Sequence, residues 1–324
     1  MKVSVVIAAY NIEEYIERCL FSVINQTLKD IEIIVVNDGS KDGTLKKIEE
    51  IKSNDSRVKI IDQKNKGLVE ARKSGLQLAT SEYILFIDGD DWLELNCLEL
   101  LYDKACSTNS DIVIYDAYQS YDDKRVAIST VSDDNLSNNW IENLFLGKVL
   151  PCIWSKFIRL EFIKMNCIQF PDNLSFAEDL ALVSSLFLNN PKVNVLKQNL
   201  YNYYQRHDSI TNKRSRKVLE INKAFSFVEN QLTIKRVFDK YKKEFEYMIF
   251  MHMFDHWFLG EYVYDTDIGS ILYNQYRSRK ININNNHFIL NQINSYKYGL
   301  RFRIRCYNKS YMVGKFYDSI RSEK

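Results

Sequence analysis

Several features that would assign a protein to a class at once are missing from this sequence. No stretch comes near the roughly 18 consecutive apolar residues of a membrane-spanning helix, so none is expected. The N-terminal run MKVSVVIAAYN is too short for a signal peptide and ends in a turn, so no export is expected either. The six cysteines include no C-x-x-C pair, and we therefore expect reduced thiols in a cytoplasmic protein.

The sequence also has no large excess of charge of one sign. The formal net charge is +2, which gives no reason to expect a nucleic-acid partner. The charge is uneven, however, because the segment from Lys297 onward has eight Lys or Arg and two acids, a net charge of +6. Two interpretations of this tail stay open, a solvated terminal helix and peripheral docking on an anionic membrane.

The first hundred residues alternate between two hydrophobic patterns. VSVVIAAY is a continuous apolar run typical of a strand buried on both faces, and the residues after it place Ile12, Ile16, Leu20 and Val23 at helical spacing. The same alternation repeats through IEIIVVND, VKIIDQ and YILFIDGDD. Four such strand–helix units predict an α/β fold with a mostly parallel sheet and helices on both faces.

The remainder of the chain divides at about Thr211. Before it, IVIYDAY predicts a strand, residues 120–139 a hairpin or mobile loop, residues 153–166 and 176–190 helices, and residues 193–206 a strand. After it, long amphipathic helices rich in Phe and Tyr follow without proline. We therefore predict an α/β domain over residues 1–212 and a helical region over residues 213–324.

Polar turns follow the predicted strands, and in open parallel sheets such turns meet at the carboxyl ends of the strands, where ligands bind. Asp88, Asp90 and Asp91 stand directly after one apolar run. Crowded carboxylates repel one another and need a counter-charge, which Mg²⁺ or Mn²⁺ would supply through hard oxygen ligands. The alternative is an acidic surface turn.

These motifs together resemble one family. The segments VSVVIAAYN, IIVVNDGSKDGT, NKGLVEARKSGLQLATSEYILFIDGDDWLE, FAEDLALVSSLF and YNYYQRHDSIT are similar, in order and spacing, to the inverting family 2 glycosyltransferases of the GT-A fold. The resemblance spans residues 1 to about 212. It implies a Rossmann-like GT-A catalytic domain, a UDP-sugar donor and a divalent metal, Mn²⁺ or Mg²⁺.

The resemblance also implies roles for individual residues. Asp90 and Asp88 would bind the metal, Asp179 would be the general base, and Glu178 would support it. Asp38 would hold the uracil, Arg72 the diphosphate, and Arg206 would close over the diphosphate. The full set assigned to the donor is Ala9, Tyr10, Asn11, Asp38, Asn65, Arg72, Asp88, Gly89, Arg206 and Ser209.

Simpler interpretations stay open for several of these residues. Asp38 could form an Asx-turn that caps the next helix, Arg72 could be a solvated helix charge, and Glu178 and Asp179 could be an ordinary helix cap. His207 is either a metal ligand or an exposed loop residue. The HMFDH segment resembles a zinc motif, but a methionine stands where the catalytic glutamate would be, which favours a packed helix face.

The predicted function is transfer of a sugar from a UDP-activated donor to a hydroxyl of a saccharide, lipid-linked or protein-linked glycan. The alternative is a non-catalytic scaffold with a degenerate GT-A domain. A nucleotidyltransferase would carry a Gly-rich basic loop near the N-terminus, which AAYNIEEY lacks. We expect a cytoplasmic protein, at the inner face of the plasma membrane if the tail binds lipid, and the aromatic helices could form a homo-oligomer.

Overall fold

A computed structural model describes residues 1–132, 136–206 and 215–322 of the chain. The chain forms two compact units, the first within Met1–Leu144 and Lys148–Arg214, the second within Phe145–Gly147 and Ser215–Lys324. Over the described ranges, no helix is both long and apolar enough to cross a membrane.

The first unit is built on a sheet of nine strands in its described part. The strand order is β3-β2-β1-β4-β8-β6-β9-β5, with β7 paired to β6. The strands are β1 (Val3–Ala9), β2 (Ile31–Asn37), β3 (Val58–Asp62), β4 (Tyr83–Asp88), β5 (Trp92–Leu93), β6 (Ile112–Ser120), β7 (Arg125–Ile128), β8 (Lys156–Arg159) and β9 (Val193–Tyr204).

The parallel part of the sheet confirms the α/β prediction. β1 pairs in parallel with both β2 and β4, and β2 pairs in parallel with β3. Most side chains of β1, β2 and β4 are buried on both faces, which explains why their sequences are continuous apolar runs. In register, Ala8 lies opposite Asp88 and Ala9 opposite Asn37, so the polar turns after these strands share one edge of the sheet.

Helices follow the strands as the hydrophobic spacing indicates. In α1 the buried residues Ile16, Leu20 and Val23 form one face, and each contributes about 2 kcal/mol by leaving water. The first seven helices are α1 (Ile16–Ile24), α2 (Thr44–Lys52), α3 (Leu68–Leu78), α4 (Cys97–Thr108), α5 (Trp140–Phe145), α6 (Leu160–Met165) and α7 (Glu178–Phe187).

The single helix predicted over residues 153–166 is wrong in its first half. A short 3₁₀ turn, Ile153–Ser155, leads into β8, which pairs antiparallel with β4 and β6, and α6 begins only at Leu160. The sheet places β8 between two strands, and this tertiary pairing overrides the local helical pattern. The hairpin expected within residues 120–139 is confirmed by β7, which pairs antiparallel with β6; residues 133–135 lie outside the described ranges.

The second unit is helical, as predicted. Its aromatic residues form a core, with Phe225, Phe245, Phe254 and Phe258 buried, which confirms the packing interpretation. Its regular helices are α8 (Ile221–Ile234), α9 (Phe238–Ile249), α10 (Ile268–Ser278), α11 (His287–Ser295), α12 (Tyr298–Lys309) and α13 (Tyr311–Ser322), with a π-helical segment over Phe250–Tyr262 and 3₁₀ turns over Arg216–Glu220 and Ile283–Asn285.

Candidate active site

Arg72 is the centre of the candidate site. It lies on α3, its side chain is only 3% exposed, and its guanidinium joins two acidic groups that are distant in the sequence. Nη2 donates to Asp88 Oδ1 at 2.9 Å and Nη1 to Asp179 Oδ1 at 2.6 Å, while Glu178 Oε1 lies 4.0 Å from Nη1. Burial opposes the charge, but the nearby charges of Asp179 and Asp88 outweigh it and raise the pKa of Arg72.

Asp179 is a partly buried carboxylate, and both of its oxygens accept hydrogen bonds. Oδ2 accepts a hydrogen bond from the Ile153 N–H at 3.0 Å, and Oδ1 accepts from Arg72. The turn that carries this N–H is anchored by Lys156, a fully buried lysine whose Nζ donates to the Leu150 carbonyl at 2.6 Å. These contacts hold the carboxylate in one orientation while its side chain keeps 22% exposure to solvent.

Glu178 stands beside it at the start of α7. The preceding residue, Ala177, has a left-handed backbone with φ of 59°, which turns the chain sharply into the helix. Burial, and then the charge of Asp179, raises the pKa of Glu178 to about 7. A carboxyl group with this pKa is partly protonated at neutral pH.

The acidic cluster after β4 is compensated mainly by arginine. Asp88 pairs with Arg72, and Asp90 Oδ2 lies 3.1 Å from Arg206 Nε. Burial, and then the charge of Asp88, raises the pKa of Asp90, so the pairing with Arg206 leaves part of the repulsion in place. Asp88 and Asp90 keep 28% and 22% side-chain exposure.

Asp91 has a different, internal position. It is 1% exposed, its Oδ2 accepts from the Tyr201 hydroxyl at 2.6 Å, and its Oδ1 accepts from the Tyr204 N–H at 2.8 Å. Burial raises the pKa of Asp91 well above its usual range. This residue connects the acidic turn to the end of β9, two residues before Arg206.

A residue that the sequence interpretation missed, Arg18, contacts the acidic turn from α1. Its guanidinium lies 3.8 Å from the centre of the Trp92 ring and 4.3 Å from that of Tyr204, and Nη2 donates to the Asp90 carbonyl at 2.9 Å. Arg18 thus stabilises the backbone that carries Asp90. Its helical neighbours in α1 give no signal for this contact, because Trp92 and Tyr204 lie on other elements.

Asp38, directly after β2, holds a second turn of the site, the turn that precedes α3. It is 3% exposed and accepts from Gln63 Nε2 at 2.7 Å, the Lys66 N–H at 2.9 Å and the Gly67 N–H at 2.8 Å. Asp38 therefore does not cap the helix that follows it. It fixes the turn before α3, where Asn65 is exposed.

At two glycines of these turns, Gly39 and Gly89, the backbone lies close to a neighbouring segment. Gly39 has φ of 71°, and a Cβ there would lie 2.7 Å from the Asn65 nitrogen. A Cβ on Gly89 would lie 2.8 Å from the Ala8 carbonyl oxygen, so only glycine fits between β1 and the acidic turn.

Asn11, in the turn after β1, is hydrogen-bonded to the turn after β2. Its N–H donates to Ser40 Oγ at 3.1 Å and its Oδ1 accepts from the Lys41 N–H at 2.8 Å. Ala9 is buried below this turn, and Tyr10 is 46% exposed. The structure therefore places the turn residues assigned to the donor beside the Asp38 turn.

Other sequence-predicted residues do not join this cluster. Ser209 and His207 lie outside the described residues. His252 and His256 belong to the π-helical segment of the second unit, where burial and then His256 lower the pKa of His252 to about 4. Across the described residues, no three His, Cys, Asp or Glu side chains form a ready-made metal site.

Comparisons with known proteins place the chain in context. The family model described as Glycosyl transferase family 2 matches residues 4–150. EpsH of Bacillus subtilis (strain 168) is 33% identical over 263 residues, which cover 77% of this chain and 74% of that protein. The cholesterol galactosyltransferase of Borreliella burgdorferi is 34% identical over 260 residues, covering 75% and 72%.

Among solved structures, S. aureus TarS 1-349 in complex with UDP-GlcNAc superimposes with a TM-score of 0.59 at 19% identity. The match covers 86% of this chain and 92% of that one. It shows that the fold is shared.

Proposed function

The chain belongs to glycosyl transferase family 2 and is a glycosyltransferase, and we propose that it moves a sugar from a UDP-activated donor to a glycan hydroxyl with inversion. The observation that carries this proposal is the Arg72 bridge. It joins Asp88 to Asp179 through two hydrogen bonds, and by resemblance Asp88 lies on the donor side and Asp179 on the acceptor side. A transferase needs both sides of the broken bond in one place.

A UDP donor is supported by the solved relatives, since TarS has been captured with UDP-GlcNAc and with UDP. In this chain, the base and ribose would lie against the turn that Asp38 fixes, between Asn11 and Asn65. The Asp38 carboxylate is engaged with the Gly67 and Lys66 amides, so it shapes this pocket from below. The diphosphate would extend towards Asp88 and Arg206.

Asp179 is the proposed general base. The acceptor oxygen attacks the anomeric carbon, the bond from that carbon to the diphosphate oxygen breaks, and the hydroxyl proton passes to the carboxylate. Attack opposite the leaving group inverts the configuration. Arg72 and the Ile153 N–H orient the carboxylate for this step. Glu178, with a pKa of about 7, is available in its protonated form to donate a hydrogen bond to the acceptor.

Asp88 and Asp90 fit a divalent cation. Their oxygens are hard ligands on one turn, both side chains are partly exposed, and burial followed by the charge of Asp88 raises the pKa of Asp90 although Arg206 lies 3.1 Å away. When bound, Mn²⁺ or Mg²⁺ would stabilise the charge that develops on the leaving diphosphate. Arg206, which lies 3.1 Å from Asp90, would contact the diphosphate.

We assign the catalytic domain to residues 1–212. Residues 213–324 would contact the acceptor or a second copy of the chain. The acceptor would be a saccharide or a lipid-linked or protein-linked glycan. All six cysteines are free thiols. This fits a cytoplasmic enzyme.

The donor proposal is tested by calorimetric titration of UDP into the protein, with Mn²⁺ and with EDTA. We expect binding that requires the metal and is lost in Asp90→Ala. A matched control is Asp103→Ala, an exposed aspartate on α4, which should bind as wild type does. Absence of UDP binding to the wild type under both conditions would overturn the proposal and favour a non-catalytic scaffold.

A further inference from the structure

The last two helices of the second unit, α12 and α13, form a hairpin that is held by its inner side. Arg303 donates two hydrogen bonds of 2.8 Å to Asp318, and the Tyr307 hydroxyl donates to the same carboxylate at 2.7 Å. Gly314 lies directly against the Tyr307 ring, where a Cβ would be 2.2 Å from a ring carbon. The inner side is therefore closely packed, and it uses the single acid of residues 297–322.

The outer side of the hairpin exposes large apolar side chains. We call it the hairpin face. Tyr298 and Phe302 are one turn apart on α12 with their rings stacked, and Phe302 also contacts Tyr317 of α13 at 5.2 Å between ring centres. Tyr317 directly follows Phe316, the exposed aromatic residue of α13. The exposed apolar members of the hairpin face are Tyr298 (75%), Phe302 (45%), Met312 (76%), Phe316 (68%) and Ile320 (51%).

A row of basic residues runs beside these aromatics. Lys297, Arg301, Arg305 and Lys309 follow one another at intervals of four, which places them along one side of α12. Since α12 has no acidic residue and Asp318 is bound by Arg303, the charge of this row is not offset within the hairpin.

We propose that the hairpin face docks the protein on an anionic lipid bilayer. Aromatic and apolar side chains insert at headgroup depth, and the basic row pairs with lipid phosphates. The occupant follows from charge complementarity, because a second copy would bring two equally positive faces together. Exposed Met312, Phe316 and Ile320 have no role against a nucleic-acid backbone, which offers phosphates but no apolar phase.

The test is co-sedimentation of the full chain with vesicles of phosphatidylcholine alone or mixed with phosphatidylglycerol, at about 0.05 M and about 0.5 M salt. Two surface variants separate the two contributions. The charge variant is Arg301→Gln, Arg305→Gln and Lys309→Gln; the apolar variant is Tyr298→Ser, Phe302→Ser and Phe316→Ser.

Matched controls change the same residue classes at exposed positions elsewhere in the chain. The charge control is Lys29→Gln, Lys46→Gln and Lys52→Gln; the apolar control is Phe21→Ser, Met165→Ser and Ile234→Ser. Unchanged thermal melting of each variant shows that it is folded.

We expect binding to the anionic vesicles alone, weakened at high salt. Each basic residue near such a surface contributes about fivefold, so the charge variant should lose about a hundredfold in partition coefficient. The apolar variant should also bind more weakly, and both controls should bind as wild type does. Equal binding to neutral and anionic vesicles, or wild-type binding by both surface variants, would overturn the proposal. The proposal would also be overturned if the protein does not bind vesicles but forms a dimer that the surface variants abolish.

Discussion

Replacing Arg72 by methionine tests the bridge at the centre of the site. Methionine keeps much of the buried volume but removes the guanidinium, leaving Asp88, Asp179 and Glu178 without their shared counter-charge. Breaking a buried ion pair from one side typically costs about 3–5 kcal/mol. Because Asp88 and Asp179 keep 28% and 22% exposure, water screens part of this loss, and we expect about 3 kcal/mol.

The assay is urea unfolding at neutral pH, with Arg125→Met as the matched control. Arg125 pairs with Glu94 at 2.7 Å, but the two side chains are 47% and 33% exposed, so this variant should lose at most about 1 kcal/mol. A double-mutant cycle with Asp179→Asn should show coupling of about 1–3 kcal/mol. If Arg72→Met costs no more than Arg125→Met, or if the two changes are additive, the bridge does not stabilise the site as argued.

Three further predictions follow from single contacts. The pKa of Glu178 is raised from 4.5 to about 7, so the folded wild type loses stability as pH rises through this interval. Glu178→Gln has no such group, and its free energy of unfolding relative to wild type should rise by about 3 kcal/mol between these pH values, measured by urea unfolding at each pH. Asp38→Asn replaces one of the two acceptor oxygens with an N–H₂ group, which then faces either the Lys66 N–H or the Gly67 N–H, and UDP affinity measured by calorimetry should fall about tenfold as the turn loosens. Gly89→Ala should cost about 1–3 kcal/mol by urea midpoint, whereas Gly260→Ala, where a Cβ has only an ordinary 3.5 Å contact, should be near neutral. The first prediction fails if the stability difference between Glu178→Gln and wild type does not change with pH. The second fails if Asp38→Asn binds UDP as wild type does, and the third if Gly89→Ala and Gly260→Ala cost the same free energy of unfolding.

The parallel core of the sheet could be predicted because its signals are local. The runs in β1, β2 and β4 are apolar on both faces, and each is followed by a helix with one buried stripe. The acidic turn after β4 and its place at the sheet edge follow from the same pattern. β8 was missed because its four residues, Lys156–Arg159, take their conformation from β4 and β6 on either side.

The contacts within the site could not be predicted, because they join residues that are far apart in the chain. Arg72 reaches Asp179 across 107 positions, and the Tyr201 hydroxyl reaches Asp91 across 110. The resemblance assigned Arg72 to the diphosphate, whereas in the structure both of its terminal nitrogens donate to carboxylates. The role of Arg18 depends on rings from two other elements and leaves no trace in the local sequence.

The most direct test of the central claim is turnover of UDP-sugars by wild type and Asp179→Asn, with the anomeric configuration of the first product read by NMR. UDP-GlcNAc and other UDP-hexoses would be the donors, with water or an added saccharide as acceptor. We predict inversion, and a rate at least about a hundredfold lower in the variant at unchanged UDP affinity, since the general base is lost. Retained configuration, or a wild-type rate in Asp179→Asn, would contradict the account.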